Sequence, residues 1–401
     1  MKKINTAFKE IVERELNDGV FQEVVDMRRH IHMHPCVGIF TQETEKFVRE
    51  KLAAWGIGTL ETKTGVLAVI PGRCHEQMVA LRADMDALPL KEENDVPYCS
   101  MYEGKMHACG HDAHTAMLLG AAKIMKAHQD VLPYDVLLVF QPSEEGPIIS
   151  GAEEMLKEMD DMGLTEKIRV MFGQHVFNTE NTGTVGTRYG SVSASTDVFT
   201  LKFIGSGGHC SMPEESVDAL SLGARFVTEM ESFMSRRISP FDNAVCAIGT
   251  FHAGTANNII PETATLTASI RCQREATRGL ILDHVKRLAE GICHGWDATF
   301  ELDVTRGLPV LVNDENTTSY ARNVAVQVVG AENYRDISTP MMGAEDFAYF
   351  AERVPACFLN VGTRNEAKGF TAKAHNPRFD IDEDGLAVGV KMLCALAANA
   401  E

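Results

Sequence analysis

Apolar residues recur along the start of the chain at the spacing of a helix face. Phe8, Ile11, Val12 and Leu16 predict a helix from Thr6 to Leu16, and a second helical stretch follows over about residues 20–33. Phe47, Val48, Leu52 and Trp55 line one side of a third helix, Thr41 to Trp55, with Thr41 as its cap. Short apolar runs then alternate with helical periods: a strand at Met78–Leu81, a helix from about Thr115 to His128, a strand at Val136–Phe140, a helix near Ala152–Met159 and a strand at Ile168–Phe172. This alternation predicts an α/β unit, a mostly parallel sheet with helices on both faces, because such strands are buried on both sides and each crossover needs a helix.

Between residues 192 and 305 the period shortens to two. Phe199, Leu201 and Phe203 alternate with polar neighbours, a long helix spans Glu215 to Arg237, and strands follow at 244–251 and 263–271. A helix from about Glu275 to Ile292 and a strand at Thr299–Thr305 close the block. The order β-α-β-β-α-β predicts an inserted α+β ferredoxin-like domain, four antiparallel strands with two helices on one face. After Gly307-Leu-Pro309 the α/β style returns, with a helix near 315–329, a buried strand at Cys357–Val361 and a final helix from Gly385 to Ala398. The expected organisation is a discontinuous domain of residues 1–191 and 306–401 around an insert of 192–305.

A length of 401 residues suits two domains, since a single core seldom grows that large. The formal charge of −18, from 38 basic and 56 acidic residues, repels phosphate backbones and makes nucleic acid an unexpected partner. No run approaches the roughly 20 apolar residues that span a bilayer, and Met1-Lys-Lys-Ile-Asn-Thr-Ala-Phe-Lys-Glu10 lacks an apolar signal-peptide core. No membrane partner and a cytoplasmic location are therefore expected. The ten cysteines form no Cys-x-x-Cys pair, which predicts reduced, mostly buried thiols.

One of them stands in different company. His107-Ala-Cys-Gly-His-Asp-Ala-His114 places Cys109 and His111 one residue apart, and Glu144-Glu145 follows the apolar run at 136–140. Thiolate, imidazole and carboxylate are ligands for borderline divalent cations. Of two adjacent glutamates, one can hold an ion while the other takes a proton from water, which points to hydrolysis. Asp84 and Asp86, the glutamate pair and His175 each lie just after a predicted strand, and His375 follows the last one. In open α/β sheets ligands bind beyond the carboxyl ends of strands, so these segments are expected to converge. Taken singly, each feature is more often a core cysteine, a solvated turn or a capping histidine; their joint placement favours a metal site.

These residues resemble the M20 metallopeptidase family. The match is carried by the His107–His114 run, Gln141-Pro-Ser-Glu-Glu-Gly146, Arg82-Ala-Asp-Met-Asp-Ala-Leu-Pro89, Gly207-Gly-His209, Ala256-Asn-Asn-Ile-Ile-Pro261, Met342-Gly-Ala-Glu-Asp-Phe347 and His375-Asn-Pro377. Within the family they are similar to the amidohydrolase branch of hippurate hydrolases, N-acyl-amino-acid deacetylases and auxin-conjugate hydrolases. The resemblance implies two divalent cations per subunit (manganese, zinc, nickel or cobalt) held by Cys109 as the bridging ligand with His111, Glu145, His175 and His375. It implies Glu144 as general base, Asp86 as the acid that orients a ligand, and His209 as the group that stabilises the tetrahedral intermediate. Asn258 and Arg271 match residues that meet the substrate carboxylate. The expected substrate is a small N-acyl amino acid, with the activity of a dipeptidase or aminoacylase of a neighbouring branch as the alternative, and the expected assembly is a homodimer through the inserted lid domain.

The chain departs from the family pattern at Cys36 and Gln42, where acidic residues are expected, and in the Gly146-Pro-Ile-Ile149 insertion behind the glutamate pair. These positions bear on substrate choice, not on the ligands. Two other readings compete. Gly205-Ser-Gly-Gly-His-Cys210 begins like a dinucleotide-binding loop but lacks its third glycine, and Pro213 follows. A metal-buffering protein would need no base beside the ion, so Glu144 argues against it.

Overall fold

The computed structural model describes residues 3–146 and 149–400. Met1, Lys2 and Glu401, together with Pro147 and Ile148 of the insertion, lie outside the described residues. The chain separates into two compact units, one of residues 1–190, 312–339 and 346–401, the other of 191–311 and 340–345.

The first unit is built on a seven-stranded sheet in the order Val66–Ile70, Tyr134–Gln141, Cys74–Asp84, Ile168–Asn181, Ala356–Arg364, Val185–Thr187 and Tyr334–Asp336. The second to fifth of these run parallel, while Val66–Ile70 and Val185–Thr187 are antiparallel to their inner neighbours. Val136 to Gln141 are all buried, as a strand covered on both faces requires. The helix His111–Ala127 packs between Phe21–Met33 and Asp384–Ala398 and is buried nearly all round. That burial explains its apolar composition and why its start, four residues before Thr115, carried no amphipathic signal. Thr41 stands at the cap position of the helix Gln42–Ala54, but its hydroxyl donates to Glu45 Oε1 at 2.9 Å instead of accepting a backbone N–H.

The second unit is a four-stranded antiparallel sheet in the order Thr299–Arg306, Ser195–Ile204, Thr263–Cys272 and Ala244–Ala253. Alternate residues of the central strands, Phe199, Leu201, Phe203, Leu266 and Ile270, are buried with Leu222 and Phe226 of the helix Ala219–Arg237 and Ile281 and Val285 of the helix Glu275–His294. The first of these helices begins later than its periodicity suggests, because Pro213–Glu215 forms a separate 3₁₀ turn and the Asp218 side chain caps the helix by accepting from Leu220 N–H at 3.0 Å. Buried Arg278 holds Asp197 through two bonds, Nε to Oδ2 at 2.8 Å and Nη2 to Oδ1 at 2.7 Å, pinning helix to sheet.

Candidate metal centre

The polar residues of the first unit gather at the carboxyl ends of its parallel strands. Asp84 ends one strand, with Asp86 two residues beyond, and Glu144-Glu145 follows the strand that ends at Gln141. His175 differs from expectation. Its strand continues to Asn181, so His175 lies within it, paired with Asn360 of the next strand.

Gly110 turns the chain from Cys109 into the helix that begins at His111. Its φ of 93° is a left-handed conformation that glycine adopts freely, and a Cβ there would sit 2.3 Å from Val176 Cγ2. The turn puts the Cys109 sulfur 3.4 Å from His175 Nε2. His375 approaches from the C-terminal part of the chain. It also has a left-handed φ, 65°, its backbone N–H donates to Ala108 O at 2.7 Å, and its Nε2 lies 2.9 Å from Glu145 Oε1.

Two ligand triads result. Cys109, His111 and His175 offer atoms within 4.8 Å of one another, and so do Cys109, Glu145 and His375. Cys109 belongs to both. A third group joins His111 to Glu144 and Glu145, with Glu144 Oε2 at 3.9 Å from His111 Nε2. Asp86 ties these pieces together: Oδ1 accepts from Glu144 N–H and Oδ2 from Glu145 N–H, both at 3.0 Å, and Oδ1 is 3.3 Å from His111 Nδ1.

The donor set fits cations. His111 Nε2 is buried and makes no hydrogen bond among the described residues, an arrangement that costs free energy unless something binds it. His175 Nδ1 donates to Val176 O at 2.7 Å, which fixes the tautomer and leaves Nε2 with its lone pair toward Cys109. Burial, aided by neighbouring His114, keeps His175 well below the usual imidazole range, in the neutral form a ligand needs. Elsewhere the site attracts positive charge. The Cys109 and Glu145 side chains lift His375 to about 10, and Asp84 and Cys109 outweigh burial to raise His111 well above its ordinary value. Burial pushes the Cys109 thiol up, so it is a cation that would make the thiolate available.

Two neighbours of the triads have no role assigned from the sequence, although one of them, Asp84, is among the groups expected to converge there. His114 and Asp84 lie close to His111, yet both His114 nitrogens are engaged: Nδ1 is 2.5 Å from Asp84 Oδ1, and Nε2 accepts from Val176 N–H at 2.9 Å. His114 thus braces the peptide beside His175, and Arg82 Nη1 donates to Asp84 Oδ2 at 2.7 Å behind it. The signal available was the three-residue spacing of His111 and His114, which puts them on one helix face, visible only once the helix start is known.

In the second unit, Gly208–His209 pairs antiparallel with Ile259–Ile260, which sets His209 opposite Ile259 and next to Asn258, whose carbonyl accepts from Cys210 N–H at 3.2 Å. Arg271 lies in the strand Thr263–Cys272 at a half-buried position, on the side opposite the buried row of Ala264, Leu266, Ala268, Ile270 and Cys272. The dinucleotide-loop reading fails, because Gly205–Cys210 contains the short strand Gly208–His209 and leads into the 3₁₀ turn, with no α-helix N-terminus directly behind it to receive a pyrophosphate.

A parallel α/β sheet with a two-triad ligand cluster, in a chain that carries a second α+β unit, defines a metal-dependent amidohydrolase. Residues 80–399 match the family described as Peptidase family M20/M25/M40, and the chain belongs to it. It is 34% identical over 377 residues to N-acetylcysteine deacetylase of Bacillus subtilis (strain 168), covering 93% of this chain and 96% of that protein. It is 34% identical over 406 residues to IAA-amino acid hydrolase ILR1-like 5 of Arabidopsis thaliana, covering 100% and 91%. The crystal structure of the Bacillus subtilis YXEP protein, described as a dinuclear metal binding peptidase from the M20 family, superposes with a TM-score of 0.81 at 31% identity, covering 95% of this chain and 98% of that one. No helix among the described residues is long and apolar enough to cross a membrane.

Proposed function

We propose that this hydrolase cleaves the amide bond of N-acyl amino acids, with Glu144 as the general base and Cys109, His111, Glu145, His175 and His375 holding two divalent cations. The observation that carries the reading is that Cys109 is common to both ligand triads while Glu144, a further carboxylate, stands beside His111. When bound, manganese, zinc, cobalt or nickel would supply Lewis acidity, lowering the pKa of water and polarising the scissile carbonyl. Glu144 takes the proton from the attacking water and later delivers it to the leaving amine nitrogen. Asp86, by accepting both glutamate N–H groups, keeps Glu144 from drifting into a ligand position where its basicity would be lost.

His209 is the proposed donor to the developing oxyanion. Ser211 N–H donates to its Nδ1 at 3.1 Å, so the neutral ring carries its proton on Nε2, the form suited to this task. Asn258 and Arg271 are proposed to meet the substrate carboxylate, and the second unit to mediate a homodimer, consistent with the open outer edge of Ala244–Ala253. The test is a panel of N-acetyl, N-benzoyl and dipeptide substrates assayed with each of the four metals in turn. N-acyl amino acids should be cleaved, with activity lost on chelation and restored by metal. Turnover of dipeptides alone would instead establish the peptidase alternative, and metal-independent turnover would refute both.

A further inference from the structure

The two helices of the second unit, Ala219–Arg237 and Glu275–His294, enclose on their outer side a groove of about 1000 Å³ that no proposed catalytic residue lines. Its walls join flat aromatic surface to cationic groups. Phe233 and His284 stack across the helix pair with ring centroids 3.6 Å apart and planes 8° from parallel. Burial, with Arg287 and Arg237 nearby, keeps His284 below its ordinary range, so this floor is an uncharged ring pair. Trp296, 44% exposed, forms another wall, with the Arg225 guanidinium 4.9 Å from its ring centroid, and Leu280 adds exposed apolar surface.

Three guanidiniums, those of Arg225, Arg237 and Arg287, face this groove, against the single carboxylate of Glu229. None of the three makes an ion pair with a carboxylate among the described residues; Arg287 Nε donates to the Asp283 carbonyl at 3.3 Å and Arg225 lies over the indole. Arg237 is accounted for by its place in the last turn of its helix, where a cation complements the helix dipole. Arg225 and Arg287 have no such explanation, lying in helix interiors of a chain whose formal charge is −18. Guanidinium forks recognise carboxylates in two-point fashion and lie readily on aromatic faces, and the groove volume matches that of small-molecule sites.

We propose that this groove binds a small organic carboxylate with an aromatic or branched aliphatic body, the carboxylate held by Arg225 and Arg287 and the body laid against Trp296 and the Phe233–His284 pair. The inference rests on the second unit alone and stands or falls independently of the metal centre. A titration of intrinsic fluorescence tests it. The chain has two tryptophans, so a Trp55→Phe enzyme reports from Trp296 alone. Adding 3-phenylpropanoate to this metal-loaded protein should produce a saturable change in emission. The neutral analogue 3-phenylpropan-1-ol should bind at least about tenfold more weakly, as loss of one charge-assisted contact implies. The double substitution Arg225→Gln, Arg287→Gln should weaken the carboxylate by a similar factor while leaving the thermal midpoint and metal content unchanged. Absence of a saturable signal, equal binding of the alcohol, or indifference to the arginine changes would each overturn the proposal. So would a change in sedimentation that tracks the fluorescence, since the groove would then be a contact between copies of the chain.

Discussion

Asp86→Asn is the most discriminating single substitution at the centre. The native carboxylate accepts one N–H on each oxygen, from Glu144 and Glu145, both at 3.0 Å, and stands 3.3 Å from His111 Nδ1. Asparagine preserves the shape but has one accepting oxygen. Its NH₂ group must face either the Glu145 N–H, or the Glu144 N–H together with the imidazole, so one charge-assisted bond is lost and two donors confront each other. Loss of such a bond to a charged group costs about 1.5–3 kcal/mol, or roughly 10- to 150-fold in an equilibrium constant. Because Asp86 contacts Glu145 and His111 together, the loss should appear in metal binding, within the range of about 10- to 100-fold typical of groups behind metal ligands. Competition with a chromogenic chelator measures this directly, and circular dichroism of the metal-free protein monitors the fold. Wild-type metal affinity in Asp86→Asn, or a loss of stability with affinity unchanged, would refute the role derived from these contacts.

Glu144→Gln should retain its metals by elemental analysis and lose about 10²- to 10⁴-fold in kcat, the usual span for general acid–base catalysis. Cys109→Ala removes the group shared by both triads, so metal content per chain should fall below that of any single-triad substitution such as His175→Ala or His375→Ala. His114→Phe leaves Asp84 Oδ1 and the Val176 N–H without their partner, at about 1–3 kcal/mol for each buried atom left unsatisfied; it should lower the thermal midpoint and weaken metal binding, whereas retention of both would contradict the brace. Stability should also depend on His32. Burial and Arg28 oppose its charge, yet Asp112 and Glu92 carry it up to about 9. A raised pKa stabilises fully below the unfolded value near 6.5 and is lost as pH rises through 9. The thermal midpoint of the metal-free protein should therefore fall between pH 7 and 9, and His32→Gln should flatten that slope.

What could be read in the sequence divides along physical lines. Amphipathic helices such as Thr6–Glu15 and the alternating strand Thr263–Cys272 were legible because one face meets solvent, and their boundaries fall within a residue of the periodicity. The helix His111–Ala127 hid its first turn because both its sides are buried, and the strand bearing His175 hid its length because it continues past its apolar stretch into polar residues. Candidate ligand chemistry was legible at Cys109, His111 and the Glu144–Glu145 pair from residue type and spacing, and the resemblance alone divided the pair. The role of Asp86 came from the resemblance and not from its spacing, and that of His114 was not legible, since it includes a bond to the backbone of Val176, remote in sequence, that only folding brings together.

The peptide N–H of His375, held by the Ala108 carbonyl, fastens a late part of the polypeptide to the loop before Cys109. Translation must therefore reach residue 375 before both triads exist, and the helix Asp384–Ala398 that covers His111–Ala127 follows later still. A nascent chain that has not reached residue 375 has, of the two, only the triad of Cys109, His111 and His175 to offer. The two triads are open to cations together only once translation has passed residue 375, and the choice of any ion is then exposed to whatever the surroundings supply.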